Sequence, residues 1–425
     1  MLTEELILYR DFEEDGLLKS LVNLFEGDGD TELCYLSAGK LVTLSMEMGF
    51  TGDLWHMFLT YLFATNENAY SKACEMRGHA EGTINDVALH DMGVFYRMFY
   101  FDLEDLDSKY KVKCFSKLKD FSMNDEGKMF NKRIRDRIAS LSLKLSEAES
   151  PEDMKAYVEA FYKDYGVGLF GLHKAFRIHE NLSDNSFKIE PIKRVAHINL
   201  EDLVGYETQK KVLTDNTEAF LKRLPANNCL LYGDSGTGKS SSIKGIMNRY
   251  YEDGLRIIEL YKHQARYLND IMAILKERNY RFIIYMDDLS FEDQETDYKY
   301  LKAIIEGGLE KKPENVLIYA TSNRRHLIHE GFKDKLDRGE NDDIHESDTI
   351  EEKLSLYHRF GLAIYYGKPG PKQFKEIVTT LARRHGIKMD EKELLLLANR
   401  WEIEHGGLSG RTASQFIDKI RSSYL

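Results

Sequence analysis

Gly233-Asp234-Ser235-Gly236-Thr237-Gly238-Lys239-Ser240 fits the spacing G-x-x-x-x-G-K-[ST], and its residue types suit the holding of a polyphosphate. Glycines let a backbone turn so that successive N–H groups converge on phosphate oxygens. Lys239 adds a full positive charge, the Ser240 hydroxyl offers a hard oxygen ligand to Mg²⁺, and Ser241 follows in the first helical turn. Downstream, Asp287 and Asp288 close the apolar run Arg281-Phe282-Ile283-Ile284-Tyr285-Met286. Phosphoryl chemistry needs one carboxylate there for the metal shell, assigned to Asp287. A second, assigned to Asp288, orients or deprotonates a water. Asn323, after Val316-Leu317-Ile318-Tyr319-Ala320-Thr321-Ser322, would emerge beside the terminal phosphate; a strand-ending asparagine is also an ordinary turn residue.

These residues need short buried strands that end at one edge and a helix that starts at the glycine-rich loop. The chain supplies them. Cys229–Tyr232, Ile257–Leu260, Phe282–Met286, Val316–Ala320 and Leu362–Tyr365 are apolar runs separated by helical segments, which predicts a five-stranded parallel sheet with helices on both faces. Before them, residues 1–180 read as helix after helix. Large apolar groups recur at helical spacing from Asp53 to Phe63, and Ser150-Pro151-Glu152-Asp153 is a capped helix start. Polar residues 181–197, with Pro191, read as a linker, and residues 198–368 as the α/β core. Residues 369–425, after Pro369, read as a helical lid: Gln373–His385, Glu391–His405 and Thr412–Tyr424.

Composition excludes several classes. A chain of 425 residues with 42% hydrophobic residues can bury more than one core. Its formal charge of −12 argues against a protein coated with nucleic acid. Cys34, Cys74, Cys114 and Cys229 form no C-x-x-C pair, and no histidine spacing suits zinc. The acidic start Met1-Leu2-Thr3-Glu4-Glu5 is unlike a signal peptide, and no apolar run is long enough to span a bilayer, so a cytoplasmic protein with no membrane association is expected.

The order of phosphate loop, Asp-Asp strand, Asn-ended strand, later arginines and helical tail resembles the AAA+ ATPases, a class of P-loop NTPases. Within them the string Asp287-Asp288-Leu289-Ser290-Phe291-Glu292 is similar to that of a bacterial AAA+ family known as a domain of unknown function. The resemblance runs from about residue 198 to the C-terminus, and more weakly into Tyr165-Gly166-Val167-Gly168-Leu169-Phe170. It implies that Val204 and Gly205, in Leu203-Val204-Gly205-Tyr206-Glu207, pack on adenine, and that Asn323 senses the γ-phosphate. It further implies that Arg359 is an arginine finger reaching the ATP of a neighbouring subunit, and that Arg411 is a second phosphate sensor at a lid helix start. The implied cofactors are ATP and Mg²⁺, with ADP as product, in a homo-oligomer for which a ring is one arrangement. For either arginine the plain alternative is a surface ion pair.

Two departures from the pattern stand out. Asp288 occupies the place where most of the class has glutamate; one methylene less shifts the carboxylate, so slow hydrolysis is expected unless Glu292 or a water compensates. Between Leu260 and Leu268 there is no aromatic-glycine loop of the kind that grips peptides in ring pores, and Tyr261-Lys262-His263 is a poor substitute. Outside the core, residues 109–144 carry 11 Lys and Arg against 4 Asp and Glu, with Phe115, Phe121 and Phe130 interspersed. That stretch reads as a nucleic-acid or client surface, or as a solvated helix face. The acidic run 342–348 reads as an exposed loop. Three functions remain open: an ATPase acting on a protein or nucleic-acid client, a non-catalytic ATP-dependent switch or scaffold, and a DNA loader or transposition helper.

Overall fold

Strands rich in Ile, Val, Leu and aromatic residues, each between turns, assemble into the parallel sheet their composition predicts. The computed structural model describes residues 2–12, 15–123, 130–181, 183–290, 300–302, 305, 313–323 and 359–424. Glu292, His358, the acidic run 342–348 and residues 124–129 of the basic stretch lie outside them. The chain divides into two units, Met1–His173 and Lys174–Leu425.

The first unit is helical. Leu54–Thr65 begins where the Asp53 carboxylate accepts from the Trp55 and His56 amides, and it buries Trp55, Phe58, Leu62 and Phe63. Pro151–Tyr165 begins at Ser150, whose hydroxyl accepts from the Asp153 amide. Several polar atoms of this core are paired. The Trp55 indole donates to the Met98 carbonyl at 2.7 Å, and Tyr162 donates to the Phe63 carbonyl while meeting the Tyr9 hydroxyl, both at 3.0 Å. The buried Asp91 carboxylate accepts from the amides of Ile7, Leu8 and Tyr9, which ties down the start of the chain.

In the second unit the described residues form a seven-stranded sheet rather than the expected five. The strands are β1 (Ala175–Asn181), β2 (Ser186–Pro191), β3 (Cys229–Gly233), β4 (Leu255–Glu259), β5 (Arg281–Met286), β6 (Val316–Ser322) and β7 (Leu362–Tyr366), ordered β2-β1-β4-β5-β6-β3-β7. All five expected strands are present. The additions are β1 and β2, an antiparallel hairpin whose first strand runs parallel to β4. Residues 186–191 lie inside the stretch read as a linker from its polarity. They read as polar because an edge hairpin keeps one face in water, and β1 alternates buried Phe176 and Ile178 with exposed Arg177 and His179. Its register is set by this alternation, with Ile178 opposite Ile189 and His179 opposite Lys188.

The order places β6 between β3 and β5, so the end of β6 lies between the phosphate loop and the two aspartates. Leu231, Ile243, Ile246, Ile283, Tyr285 and Tyr319 belong to the core of this unit, between the sheet and the helix Lys239–Tyr250. A separate small core holds the lid helices Pro371–Arg384, Glu391–Glu404 and Gly410–Tyr424, built on Phe374, Val378, Leu394, Phe416 and Ile417. Val204 packs against it, and the Arg384 guanidinium donates to the carbonyls of Asp202 and Glu201 at 2.7 and 2.6 Å.

Candidate functional site

β3 ends at Gly233, and the chain must turn at once to start a helix at Lys239. Gly233 has φ +132°, and a Cβ there would collide with the Tyr366 carbonyl oxygen on β7. Gly236, at φ +74°, leaves only 3.0 Å between the place of a Cβ and the Ser409 hydroxyl at the foot of the last lid helix. A side chain is strained at either place, and at Gly233 it also collides with backbone. Gly238 precedes the helix and no side chain caps it, so its first-turn amides are available to an anion.

These amides open into a cleft of about 510 Å³, lined by Ser235 to Ser241, Lys244, Asp287, Asp288, Thr321 and Asn323 on the core side. Leu203, Val204 and Tyr206 form another wall, and Ile377, Leu381, Gly410 and Arg411 of the lid close the far side. A mononucleotide-sized ligand suits this volume. The expected site residues Val204, Ser235, Gly236, Thr237, Gly238, Lys239, Ser240, Ser241, Asp287, Asp288, Asn323 and Arg411 therefore share one cleft. Gly205, Gly233, Asp234 and Arg359 do not line it. Gly233 and Asp234 shape the loop instead. The Asp234 amide donates to the Tyr366 carbonyl, and its carboxylate accepts from the Lys368 amide at 3.0 Å. Arg359 is half-buried, directly before Phe360.

The polar groups of the cleft satisfy one another. The Lys239 ammonium donates to the carbonyls of Gly233 and Asp234 and to Asn323 Oδ1, at 2.9, 2.7 and 2.9 Å. Asn323 Nδ2 donates to Asp288 Oδ1 at 2.7 Å. The Ser240 hydroxyl donates to Asp287 Oδ1 at 2.7 Å, and the Thr321 hydroxyl to the same oxygen at 2.6 Å. Thr321 Oγ1 in turn accepts from the Asp288 amide at 2.9 Å, which holds Asp288 at φ +50°. Sequence reasoning passed over Thr321 as a strand residue. The signal was its position, two before Asn323, which puts both side chains on one face at the strand end. Ile377 and Leu381 were legible as an apolar lid stripe, but nothing local says that it faces a ligand.

Charge follows this geometry. Burial pushes the Lys239 ammonium below its ordinary range, and the carboxylates of Asp288, Asp234 and Asp287 oppose that shift while Arg411 adds to it. Burial would raise Asp287, yet the hydroxyls around it and the Lys244 charge outweigh this and hold the carboxyl below its usual range. The helix N-terminus, Lys239, Lys244 and Arg411 make the cleft floor a place for negative charge.

The segment after β4 is a 3₁₀ helix, Lys262–Tyr267, rather than a projecting loop. Arg266 pairs with Glu180 at 2.7 Å and His263 lies 3.3 Å from the same carboxylate, while Gln264 Nε2 donates to the Ile178 carbonyl. The hairpin thus fixes it. In the first unit, part of the basic stretch is spent internally. Lys109 donates to the Phe25 carbonyl, Lys119 pairs with Asp102, and Arg137 lies 4.3 Å over the Tyr165 ring.

No helix among the described residues is long and apolar enough to cross a membrane. No curated protein matches the chain. Among solved structures, Thermotoga maritima RuvB, a Holliday junction branch migration motor, is similar at 16% identity and a TM-score of 0.35, over 53% of this chain and 64% of that one. Two variants of the same protein give 17% identity and a TM-score of 0.37, covering 53% of this chain and 64% and 65% of theirs. The chain thus spans just under two thirds of the RuvB chains it matches. The family model described as "Protein of unknown function (DUF815)" matches residues 172–424, well over half of the sequence, and the chain belongs to that family.

Proposed function

We propose that this chain is an AAA+ ATPase that binds Mg-ATP in the cleft and hydrolyses it to move a client. The observation that carries the reading is the linked set Lys239–Asn323–Asp288 and Ser240–Asp287, at the carboxyl ends of adjacent strands under an uncapped helix N-terminus. The donor set fits Mg²⁺. It is all oxygen, one hydroxyl and one carboxylate 2.7 Å apart, and no group of three His, Cys, Asp or Glu among the described residues could hold a metal alone. Such a pair suits an ion that arrives with phosphate oxygens. Bound there, Mg²⁺ would neutralise charge on the phosphates.

The chain's own residues account for the rest. The loop amides and Lys239 hold the β- and γ-phosphates, and Val204 and Tyr206 line the wall that would receive the base. Asp288 takes a proton from water as its oxygen bonds to the γ-phosphorus and the bond to ADP breaks. Arg411, at the start of a lid helix, reads the phosphates. Arg359, away from its own cleft, suits a finger offered to a neighbouring subunit, which makes a homo-oligomer part of the proposal.

A second reading is an ATP-dependent switch with little turnover, favoured by the short Asp288 side chain held on Asn323. The internal pairing of Lys109, Lys119 and Arg137 weakens a DNA-loading role. A cytoplasmic setting remains an expectation from the sequence. The test is phosphate release by wild type and Lys239→Ala at several protein concentrations. Turnover that depends on Lys239, rises with concentration and disappears in Arg359→Ala is expected; ATP binding without Lys239-dependent turnover would leave the switch.

A further inference from the structure

Tyr285 stands two residues before Asp287 on β5, so strand alternation puts their side chains on one face. It is 3% exposed, and its hydroxyl stands beside Asp287, Ser240 and Thr321 without the geometry of a full hydrogen bond to any of them. Its partner in the β5–β6 register is another buried tyrosine, Tyr319, whose hydroxyl meets Asn216 and Thr217 at 2.9 Å each. The same residue type in the same sheet is therefore fully bonded in one strand and short of a full hydrogen bond in the next. A phenol is protonated at neutral pH and a carboxylate offers only acceptors, so toward Asp287 the Tyr285 hydroxyl can only donate. Its ring lines a cavity of about 220 Å³ with Ile243, Met247 and Ile257, which leaves it room to shift.

A carboxylate that serves a metal is commonly steadied by hydrogen bonds from behind. Asp287 already receives Ser240 and Thr321 on one oxygen. We propose that Tyr285 is a positioning residue whose hydroxyl donates to Asp287 once that carboxylate engages a divalent cation, fixing the direction of the oxygen that faces the ion. The incompletely bonded hydroxyl is then a donor held in reserve for the loaded site. This inference rests on the reading of the cleft as a Mg-nucleotide site.

The test is titration of wild type and Tyr285→Phe with a fluorescent N-methylanthraniloyl ADP, in excess Mg²⁺ and in EDTA, with the melting temperature of the ligand-free proteins alongside. Tyr285→Phe removes one oxygen and breaks no full hydrogen bond, so the ligand-free protein should melt no lower than wild type. Affinity in EDTA should stay within about twofold, while the gain on adding Mg²⁺ should shrink by about tenfold, the scale of one hydrogen bond to a charged group. An equal loss in both conditions, or a lower melting temperature, would mark a purely structural hydroxyl and overturn the proposal, as would an undiminished Mg²⁺ gain. A wild type that fails to bind in either condition removes the nucleotide reading itself, and the role of Tyr285 falls with it. A wild type that gains from Mg²⁺ beside a variant that gains equally removes the Tyr285 role alone.

Discussion

Lys239 has three protons to donate, and all three meet acceptors of its own chain. A phosphate must therefore exchange with these contacts rather than add to them. Asn323 is the link, since releasing Lys239 also frees the amide that holds Asp288. Thr321 holds both aspartates from below, one through its hydroxyl proton and one through its oxygen. Thr321→Val should orphan the Asp288 amide and lower stability by about 1–3 kcal/mol, read by denaturant unfolding without ligand. Asp287 gives a pH prediction. Its carboxyl is held below the ordinary range in the folded state, so it contributes stability above that range and loses it as the pH falls through the lowered value. Asp287→Asn should remove that part of the acid-side decline in melting temperature. The loop, Asp287, Asp288 and Asn323 were legible because their residue types announce their chemistry. Thr321 and Tyr285 were not, because threonine and tyrosine are ordinary strand residues and only the register shows what they face.

The elements were legible to different degrees, for a physical reason. Strands buried on both faces are continuous apolar runs, and β3 to β6 stand out as such, while β7 at the sheet edge is apolar in type but alternates in exposure. The β1–β2 hairpin has one wet face, so β2 reads as polar linker, and β1, expected as the end of the helical stretch 1–180, is a strand instead. The helix start at Ser150 was visible in its cap, and the helix after Asp53 in its apolar spacing. At the phosphate loop, Gly233→Ala should cost more than an ordinary turn substitution. It combines backbone strain of about 1–3 kcal/mol with a collision against β7, and should lower the melting temperature as well as nucleotide affinity. The 3₁₀ helix after β4 was expected only as the absence of a pore loop. The structure supplies the cause, since Glu180 anchors both Arg266 and His263. Glu180→Ala should speed hydrogen exchange at residues 262–267 with little change elsewhere, measured by mass spectrometry.

At the scale of the whole chain, the two tryptophans fall in different places. Trp55 is buried in the first unit, and Trp401 stacks on His405 at 3.5 Å in the lid. Nucleotide should change the emission of a Trp55→Phe variant, which keeps the lid reporter, and leave that of Trp401→Phe nearly constant. A response confined to Trp55 would contradict a cleft closed by the lid. The cysteines also differ in exposure. Cys34, Cys74 and Cys229 are fully buried, burial pushing the first two thiols up to about 11, whereas Cys114 is partly exposed.

The hairpin at the sheet edge has a consequence for the order in which the chain is made. β1 needs β4 as its parallel neighbour, but Leu255 leaves the ribosome long after Asn181. At about 5–20 residues per second the wait lasts seconds. A lone strand would spend that time as an open template for other nascent chains. β2 follows β1 immediately and can pair with it within microseconds. The edge strand β2 thus acts first as a cover for a strand whose proper partner has not yet been synthesised.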